Sequence, residues 1–369
     1  MSVNPSAVAV LTASDLRAAV AIMAQHLGLT HNLKGGSLPN PITLTGADGR
    51  LTLAASGKGL ELTRSFPCDA EGRVTVKLAD LKLAIGACSG PVSLTLNQRG
   101  RLILTDASGV VAVSETDPLM ATAKTDNETS YTVDGRAFAD GFRRIIYAVA
   151  DENGRYGLNG VSVEVSPTGN RVVGSDGSRL AYAEIATDTP VRLPTKMLLH
   201  GSAVRAMLAL PVSERLTFRV SGRAATLIGD LWSVRSRLVE ADYPDYRQVV
   251  PATYLGAIIG DRDALMRAFR RVASVVRDRY KTVRVATDKG ALSLTSDARE
   301  GIRASMVIPV GLEGVIEIKT FNGLMVGQAL ESLPPGPVRW EAGPVLGVTR
   351  LTSLTTPDVV AIVMPVRVD

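Results

Sequence analysis

Asp261-Arg262-Asp263-Ala264-Leu265-Met266-Arg267-Ala268-Phe269-Arg270-Arg271-Val272-Ala273-Ser274-Val275-Val276 decides how this chain is read, because the same kind of helix recurs three times. Leu265, Met266, Phe269, Val272, Ala273 and Val276 make one apolar stripe, while Arg267, Arg270, Arg271 and Ser274 fall opposite at i, i+3, i+4 and i+7. A second version starts at Gly135, with Phe138, Phe142, Ile145, Ile146 and Val149 inward and Arg136, Arg143 and Arg144 outward. A third starts near Ser14 and carries only Arg17 as a basic residue. These starts lie about 121 and about 126 residues apart, which is the length of a small domain. Each helix follows a short alternating strand and precedes a run of strands, then a second helix and more strands. The second helices are expected to begin near Leu78, Thr195 and Phe321.

The strands show as period-2 alternation. Leu51 and Leu53, Leu60 and Leu62, Val74 and Val76, then Val92, Leu94 and Leu96 alternate with small or polar residues in the first third. Val161, Val163 and Val165, with Leu216, Phe218 and Val220, do so in the middle, and Val283, Val285, Leu292 and Leu294 in the last. Turn residues such as Ala47-Asp48-Gly49 and Thr287-Asp288-Lys289-Gly290 separate them. Many antiparallel strands plus two helices per repeat make an α+β fold, not the alternating βαβ of a nucleotide-binding sheet. Polar residues 125–129 and the proline-bracketed connector 244–253 mark the boundaries. The chain is therefore expected to hold three tandem similar domains, 1–126, 127–252 and 253–369.

Composition narrows the function. Of 369 residues 46% are hydrophobic, yet apolar stretches such as residues 359–365 are far too short to span a bilayer, so no membrane partner is expected. Residues 1–9 show no basic segment ahead of an apolar core, an expectation against a cleaved leader and for a cytoplasmic protein. Cys68 and Cys88 match no zinc pattern and read as small thiols in a reducing compartment. His26, His31 and His200 are too scattered for a metal site or a triad, so neither metal nor cofactor is expected. The net charge is only +5, but six arginines crowd between positions 262 and 279, a local concentration that suits a polyanion.

Catalytic motifs are decoys. Ser56-Gly57-Lys58-Gly59 lacks the upstream glycine and the hydroxyl of a phosphate loop and reads as a hairpin turn. Gly174-Ser175-Asp176-Gly177 lacks the glycine spacing of a nucleophile elbow. A non-enzyme is expected.

Four segments resemble the bacterial DNA polymerase III sliding clamp, the beta subunit. They are Arg155-Tyr156-Gly157-Leu158-Asn159-Gly160, Ser175-Asp176-Gly177-Ser178-Arg179-Leu180, Tyr243-Pro244-Asp245-Tyr246-Arg247 with Val249 and Pro251, and Val363-Met364-Pro365-Val366-Arg367. The resemblance implies a head-to-tail homodimeric ring around duplex DNA, with helices lining the hole and strands on the rim. It further implies a processivity factor that tethers the replicative DNA polymerase and also meets the clamp loader and other proteins carrying a clamp-binding motif. Contact with DNA of any sequence calls for phosphate attraction without base readout. Lys34, Arg136, Arg143, Arg144, Tyr156, Lys196, Arg267, Arg270 and Arg271 are the DNA-facing candidates, Lys196 being placed on the middle repeat's second helix.

Carried over by motif, a partner-peptide pocket between the second and third domains takes Arg155, Leu158, Ser175, Gly177, Ser178, Arg179 and Leu180 on one wall. The connector adds Pro244, Gln248 and Val249, and the third domain adds Tyr280, Asn322, Met325, Ile362, Val363, Met364, Pro365, Val366 and Arg367. Leu158, Val249, Val363 and Met364 would take hydrophobic anchors, with flexible Met repacking around different peptides. The subunit contact would place Ser274, Val275 and Arg277 against Val110, Val111, Ala112 and Val113 of a second copy. The chain departs from the family pattern at Gly157, Ser178, Gln248, Met325, Ser274 and Val275. A clamp-derived scaffold without ring closure, or a specialised second clamp, is the alternative reading.

Overall fold

A computed structural model describes residues 9–27, 40–97, 101–116, 128–150, 157–167, 169–186, 195–251, 253–296, 303–316, 319–343 and 347–367. The first run of elements is β1 (Ala9–Thr12), α1 (Ala13–Leu27), β2 (Pro41–Ala47), β3 (Arg50–Gly57), β4 (Leu60–Pro67), β5 (Gly72–Lys77), α2 (Leu78–Ala87), β6 (Pro91–Asn97), β7 (Arg101–Asp106) and β8 (Gly109–Ser114). The second is β9 (Glu128–Asp134), α3 (Gly135–Ile145), a 3-10 turn (Ile146–Ala148), β10 (Gly160–Ser166), β11 (Gly169–Ser175), β12 (Arg179–Ile185), β13 (Thr195–His200), α4 (Gly201–Ala209), β14 (Arg215–Ser221), β15 (Ala224–Ile228) and β16 (Trp232–Arg237). After a 3-10 turn at Tyr246–Val249 the third is β17 (Gly256–Asp261), α5 (Arg262–Val275), β18 (Thr282–Asp288), β19 (Ala291–Ser296), β20 (Ser305–Pro309), β21 (Gly311–Gly314), β22 (Lys319–Asn322), α6 (Gly323–Ser332), β23 (Pro337–Ala342), β24 (Thr349–Ser353) and β25 (Val359–Val363). One order, a strand, a helix, four strands, a helix and three strands, occurs three times, and β21 is the only extra strand among the described residues.

The helix starts follow local chemistry. The Asp261 carboxylate accepts a bond from the Ala264 amide at 2.8 Å, which caps α5. Asn322 Oδ1 accepts from the Leu324 and Met325 amides at 3.1 and 3.2 Å and caps α6, so Phe321 is a strand residue. The middle repeat's second helix also starts later than the pattern predicts, at Gly201 and not Thr195. Met197, Leu198 and Leu199 are buried in β13, whose register against β10 runs from Gly160↔His200 to Val165↔Thr195. That ladder outweighs the helix propensity of the stretch. Lys196 is consequently a strand residue, with Nζ 3.6 Å from Glu164.

Contacts divide the chain into two compact units, Met1–Arg136 with Ser202–Leu238, and Ala137–Gly201 with Val239–Asp369. The first holds an antiparallel sheet β1-β6-β7-β8 and an eight-stranded one, β5-β2-β3-β4-β16-β15-β14-β9. The second holds a nine-stranded sheet, β13-β10-β11-β12-β25-β24-β23-β17-β21, and a four-stranded one, β20-β19-β18-β22. The middle run is thus shared. Its β16 pairs with β4 through Leu62↔Val234, and its β12 pairs with β25 through Leu180↔Ile362.

In the second unit Phe269 of α5 packs edge-on to Trp340 at 5.5 Å, and Phe321 lies 5.4 Å from the same ring. All three side chains are buried and tie the basic helix to β22 and β23. Phe269→Ala should cost about 3–5 kcal/mol of stability, because the cavity cannot be refilled by the rigid neighbouring rings. Denaturant melts check this, and a loss below about 1 kcal/mol would show that α5 is held by other contacts.

Candidate functional site

The joint between β12 and β25 carries an apolar cluster. Alternation along each strand puts Leu180, Val360 and Ile362 on one face, where they bury with Val173, Leu198, Tyr243 and Tyr246. Leu158, Tyr182, Val239, Val250 and Val348 pack around this cluster half-buried. Beyond the last paired residue, the Met364 amide donates to the Ser178 carbonyl at 3.0 Å and the Val366 amide to the Thr320 carbonyl at 2.7 Å. Met364, which follows β25, and Val249 on the connector remain exposed, at 39% and 40%, and offer apolar surface to solvent.

The polar wall of this joint is a tight turn. The Ser175 hydroxyl donates to the Arg179 carbonyl at 2.9 Å and accepts from the Gly177 amide at 3.2 Å. Asp176 accepts from the Ser178 and Arg179 amides at 2.9 and 3.0 Å and from Arg179 Nε at 2.8 Å. Gly177 has φ +88°, a backbone state that excludes most side chains. Ser175 and Asp176 therefore brace a hairpin. The Arg179 guanidinium lies over the Tyr147 ring at 5.2 Å and donates to Gln328 on α6. Burial pushes the Tyr147 phenol up to about 12, so it stays neutral as a packing surface for that cation. At Gly157 the backbone is left-handed, φ +70°, and an added Cβ would meet Ala241 Cβ at 2.8 Å. That crowding gives the physical reason for glycine at this position.

Of the predicted pocket residues, Leu158, Ser175, Gly177, Ser178, Arg179, Leu180, Ile362, Val363 and Met364 are brought together at this joint. Pro244, Gln248 and Val249 are exposed on the connector, whose Tyr243 and Tyr246 enter the cluster. Asn322, Met325 and Tyr280 sit on the neighbouring β18–β22–α6 element, reached through the Val366–Thr320 bond; Tyr280 is 53% exposed. Pro365 and Val366 are half-buried and Arg367 is exposed. Arg155, Tyr156 and Lys34 lie outside the described residues. Sequence reasoning missed Val173, Tyr243, Tyr246 and Val360 as lining. Their signal was present, in the alternation of β11 and β25 and in the quoted tyrosine motif.

The basic residues divide into two groups. Arg144 Nη1 donates to the Ser332 carbonyl at 2.9 Å, Arg262 Nη1 donates to the Leu333 carbonyl at 2.6 Å, and Arg270 pairs with Glu331. Three arginines from α3 and α5 thus converge on the C-terminus of α6, where the helix dipole is negative. Arg143, Arg267 and Arg271 are exposed and carry no ion pair among the described residues. Arg136 pairs with Glu214 at 3.1 Å in the other unit's surface. On the predicted subunit contact, Val110 is 65% exposed on β8, Val111 and Ala112 are partly or fully exposed, and Val113 is buried. The Ser274 hydroxyl donates to the Arg271 carbonyl at 2.8 Å; Val275 is half-buried and Arg277 exposed.

Three element runs welded through shared antiparallel sheets define the DNA-clamp fold. The structure superposes on the DNA polymerase III beta subunit of Thermotoga maritima with TM-score 0.83 at 20% identity, covering 98% of this chain and 100% of that one. A beta subunit from Pseudomonas aeruginosa gives 0.85 at 18% identity, with the same coverages. A Pseudomonas aeruginosa sliding clamp bound to griselimycin gives 0.84 at 19% identity, again over 98% and 100%. In sequence the chain is similar to beta sliding clamps: 28% identical over 181 residues to that of Pseudomonas putida and 22% over 341 residues to that of Synechococcus elongatus. The first alignment covers 46% of this chain and spans 47% of the Pseudomonas putida protein, about half its length; the second covers 86% of each. No protein-family model matches the chain. Both comparisons set it beside the beta sliding clamps, and its fold is theirs.

Proposed function

We propose that the chain is a DNA sliding clamp, a processivity factor without chemistry of its own. It encircles duplex DNA and tethers a replicative polymerase through the β12–β25 groove. The observation that carries this reading is clamp fold over nearly the whole chain, coupled to exposed arginines on α3 and α5 that have no ion pair among the described residues. Its three domains are 1–126, 127–252 and 253–369, and two copies close head to tail. The internal joints supply the pattern for that closure. β4 pairs with β16 and β12 with β25; the third equivalents, β20 and β8, are both sheet edges. An unpaired edge is a template for another strand, and Val307 on β20 and Val110 on β8 are 67% and 65% exposed.

The groove suits the short hydrophobic segments by which polymerases, a clamp loader and other partners would dock; the griselimycin-bound relative supports a ligand-binding surface on this fold. No helix among the described residues is long and apolar enough to cross a membrane; a clamp working at replication like its bacterial relatives is at work in the cytoplasm. The deciding experiment is retention on DNA: the protein should stay on a closed circle and slide off once the circle is cut. Loss from both at the same rate would favour a scaffold that never closes.

DNA affinity should fall steeply with salt and be blind to sequence. Replacing Arg143, Arg267 and Arg271 together by Ala should lower the slope of log affinity against log salt by roughly one unit per lost phosphate contact. The melting temperature should barely move, since none of the three is paired among the described residues. Arg144→Ala and Arg262→Ala should do the reverse, lowering stability through the α6 terminus. A slope unchanged in the triple variant would put the DNA surface elsewhere.

A further inference from the structure

The internal repeat contains a second groove. The hairpin before β4 turns at Lys58-Gly59, between Gly57 and Leu60, as the one before β12 turns at Gly177-Ser178, where the Asp176 amide donates to the Arg179 carbonyl at 3.2 Å. Leu60 pairs with Ser236 as Arg179 pairs with Val363. One residue further along each strand, Glu61 occupies the place of Leu180, Arg235 that of Ile362, and Arg237 that of Met364. The fold thus repeats at the β4–β16 joint the frame of the apolar groove, with its floor rewritten in charge.

A cleft of about 550 Å³ lies there, between the β3–β4 and β14–β15 turns. Arg223, Arg235 and Arg237 line it with a single carboxylate, Glu61. Arg223 and Arg237 are exposed and Arg235 is half-buried. Arg235 stands directly across from Glu61, on the face marked by the Thr63–Ser233 hydroxyl bond of 2.7 Å. Helix α1 packs on β3 and β4, where Leu53, Leu60 and Leu62 are buried, so the arginines occupy the opposite face of the sheet.

We infer that this cleft is a second docking site, which takes an extended acidic peptide segment of a partner protein. The Arg235 and Arg237 guanidiniums, two residues apart on one face of β16, can bind carboxylates in paired geometry, with Arg223 adding positive charge beside them. Leu60 and Ala224 also line the cleft, but Leu60 is buried, so no exposed aliphatic side chain like Met364 or Val249 stands there to anchor a hydrophobic segment. The face lies away from α1, on the side the proposed DNA path does not use, which favours a peptide over a nucleic acid. The inference goes beyond the proposed function and borrows only the repeat from it.

The test uses the full chain and a fluorescein-labelled octapeptide of alternating Asp and Ser, at low salt. The expected result is binding that weakens at least tenfold in Arg235→Glu/Arg237→Glu, with the milder Arg237→Ser intermediate. Deletion of residues 364–369 should leave this binding unchanged, and the charge-reversal variant should keep its retention on circular DNA, which separates this site from the clamp reading. Equal binding by wild type and variant, or none by the wild type, overturns the site. A single-stranded oligonucleotide that competes for it and shows the same tenfold loss would make it a nucleic-acid site and overturn the peptide assignment.

Discussion

Deleting residues 364–369 is expected to lower affinity for a clamp-binding peptide more than tenfold, about 1.4 kcal/mol, while the protein still folds. The deletion leaves β25 whole. Its five residues are all buried, and its register with β12 and β24 is unaffected. What goes is the rim: exposed Met364, the bond from its amide to Ser178, and the bond from Val366 to Thr320. Two lost backbone bonds cost roughly 1–3 kcal/mol of stability, which a chain with this much buried core tolerates. A peptide loses more, because a few apolar anchors in a desolvated groove carry most of such binding energy. Calorimetry with a peptide bearing adjacent hydrophobic residues measures it, and Met364→Ala serves as the milder comparison. Unchanged affinity in both variants would place the pocket elsewhere. An unfolded deletion product with a normal Met364→Ala would show that the tail completes the core before it serves a ligand.

Much of this architecture is legible in the residues. The stripe from Leu265 to Val276 is so strongly periodic that α5 and its exposed arginines follow from spacing alone, and Gly135 and Leu78 begin helices where the pattern puts them. The pattern failed at Thr195 because Met197, Leu198 and Leu199 form an apolar run that suits a buried strand as well as a helix. Only the tertiary ladder with β10 decides between them. Pairing across repeats was also hidden. Nothing local to Leu62 or Leu180 indicates that their neighbours are Val234 and Ile362, more than 170 residues away. Nor does charge on a helix tell a DNA contact from a brace. Arg144 and Arg143 are adjacent in sequence, yet one is held by the Ser332 carbonyl of α6 and by Asp140, and the other is left exposed.

Val307→Glu is expected to break the ring. In solution the native chain should run at about twice its 38.9 kDa, and the variant at the mass of one chain. The expectation comes from the two internal joints, which show what the edges of this fold do when they meet. At each one, four strands from one run continue into the strands of the next, with apolar partners such as Leu62↔Val234 on one face. β20 and β8 have the same places in their sheets and, among the described residues, no strand on their outer side, and each leaves a valine two-thirds exposed. Burying a valine stabilises by about 1.5–3 kcal/mol, and head-to-tail symmetry repeats every contact twice. A glutamate at position 307 removes that gain and sets a charge into the closing ladder, a change worth several tenfold steps in dimer affinity. Ser274 and Val275, small residues where larger aliphatics would bury more, leave little other apolar area to compensate. Retention on circular DNA should vanish with the dimer, while binding of a short duplex at low salt should persist through Arg143, Arg267 and Arg271. A Val307→Glu protein that stays dimeric would move the interface off β20. A native chain that is monomeric at high concentration would remove the ring itself and leave the scaffold reading.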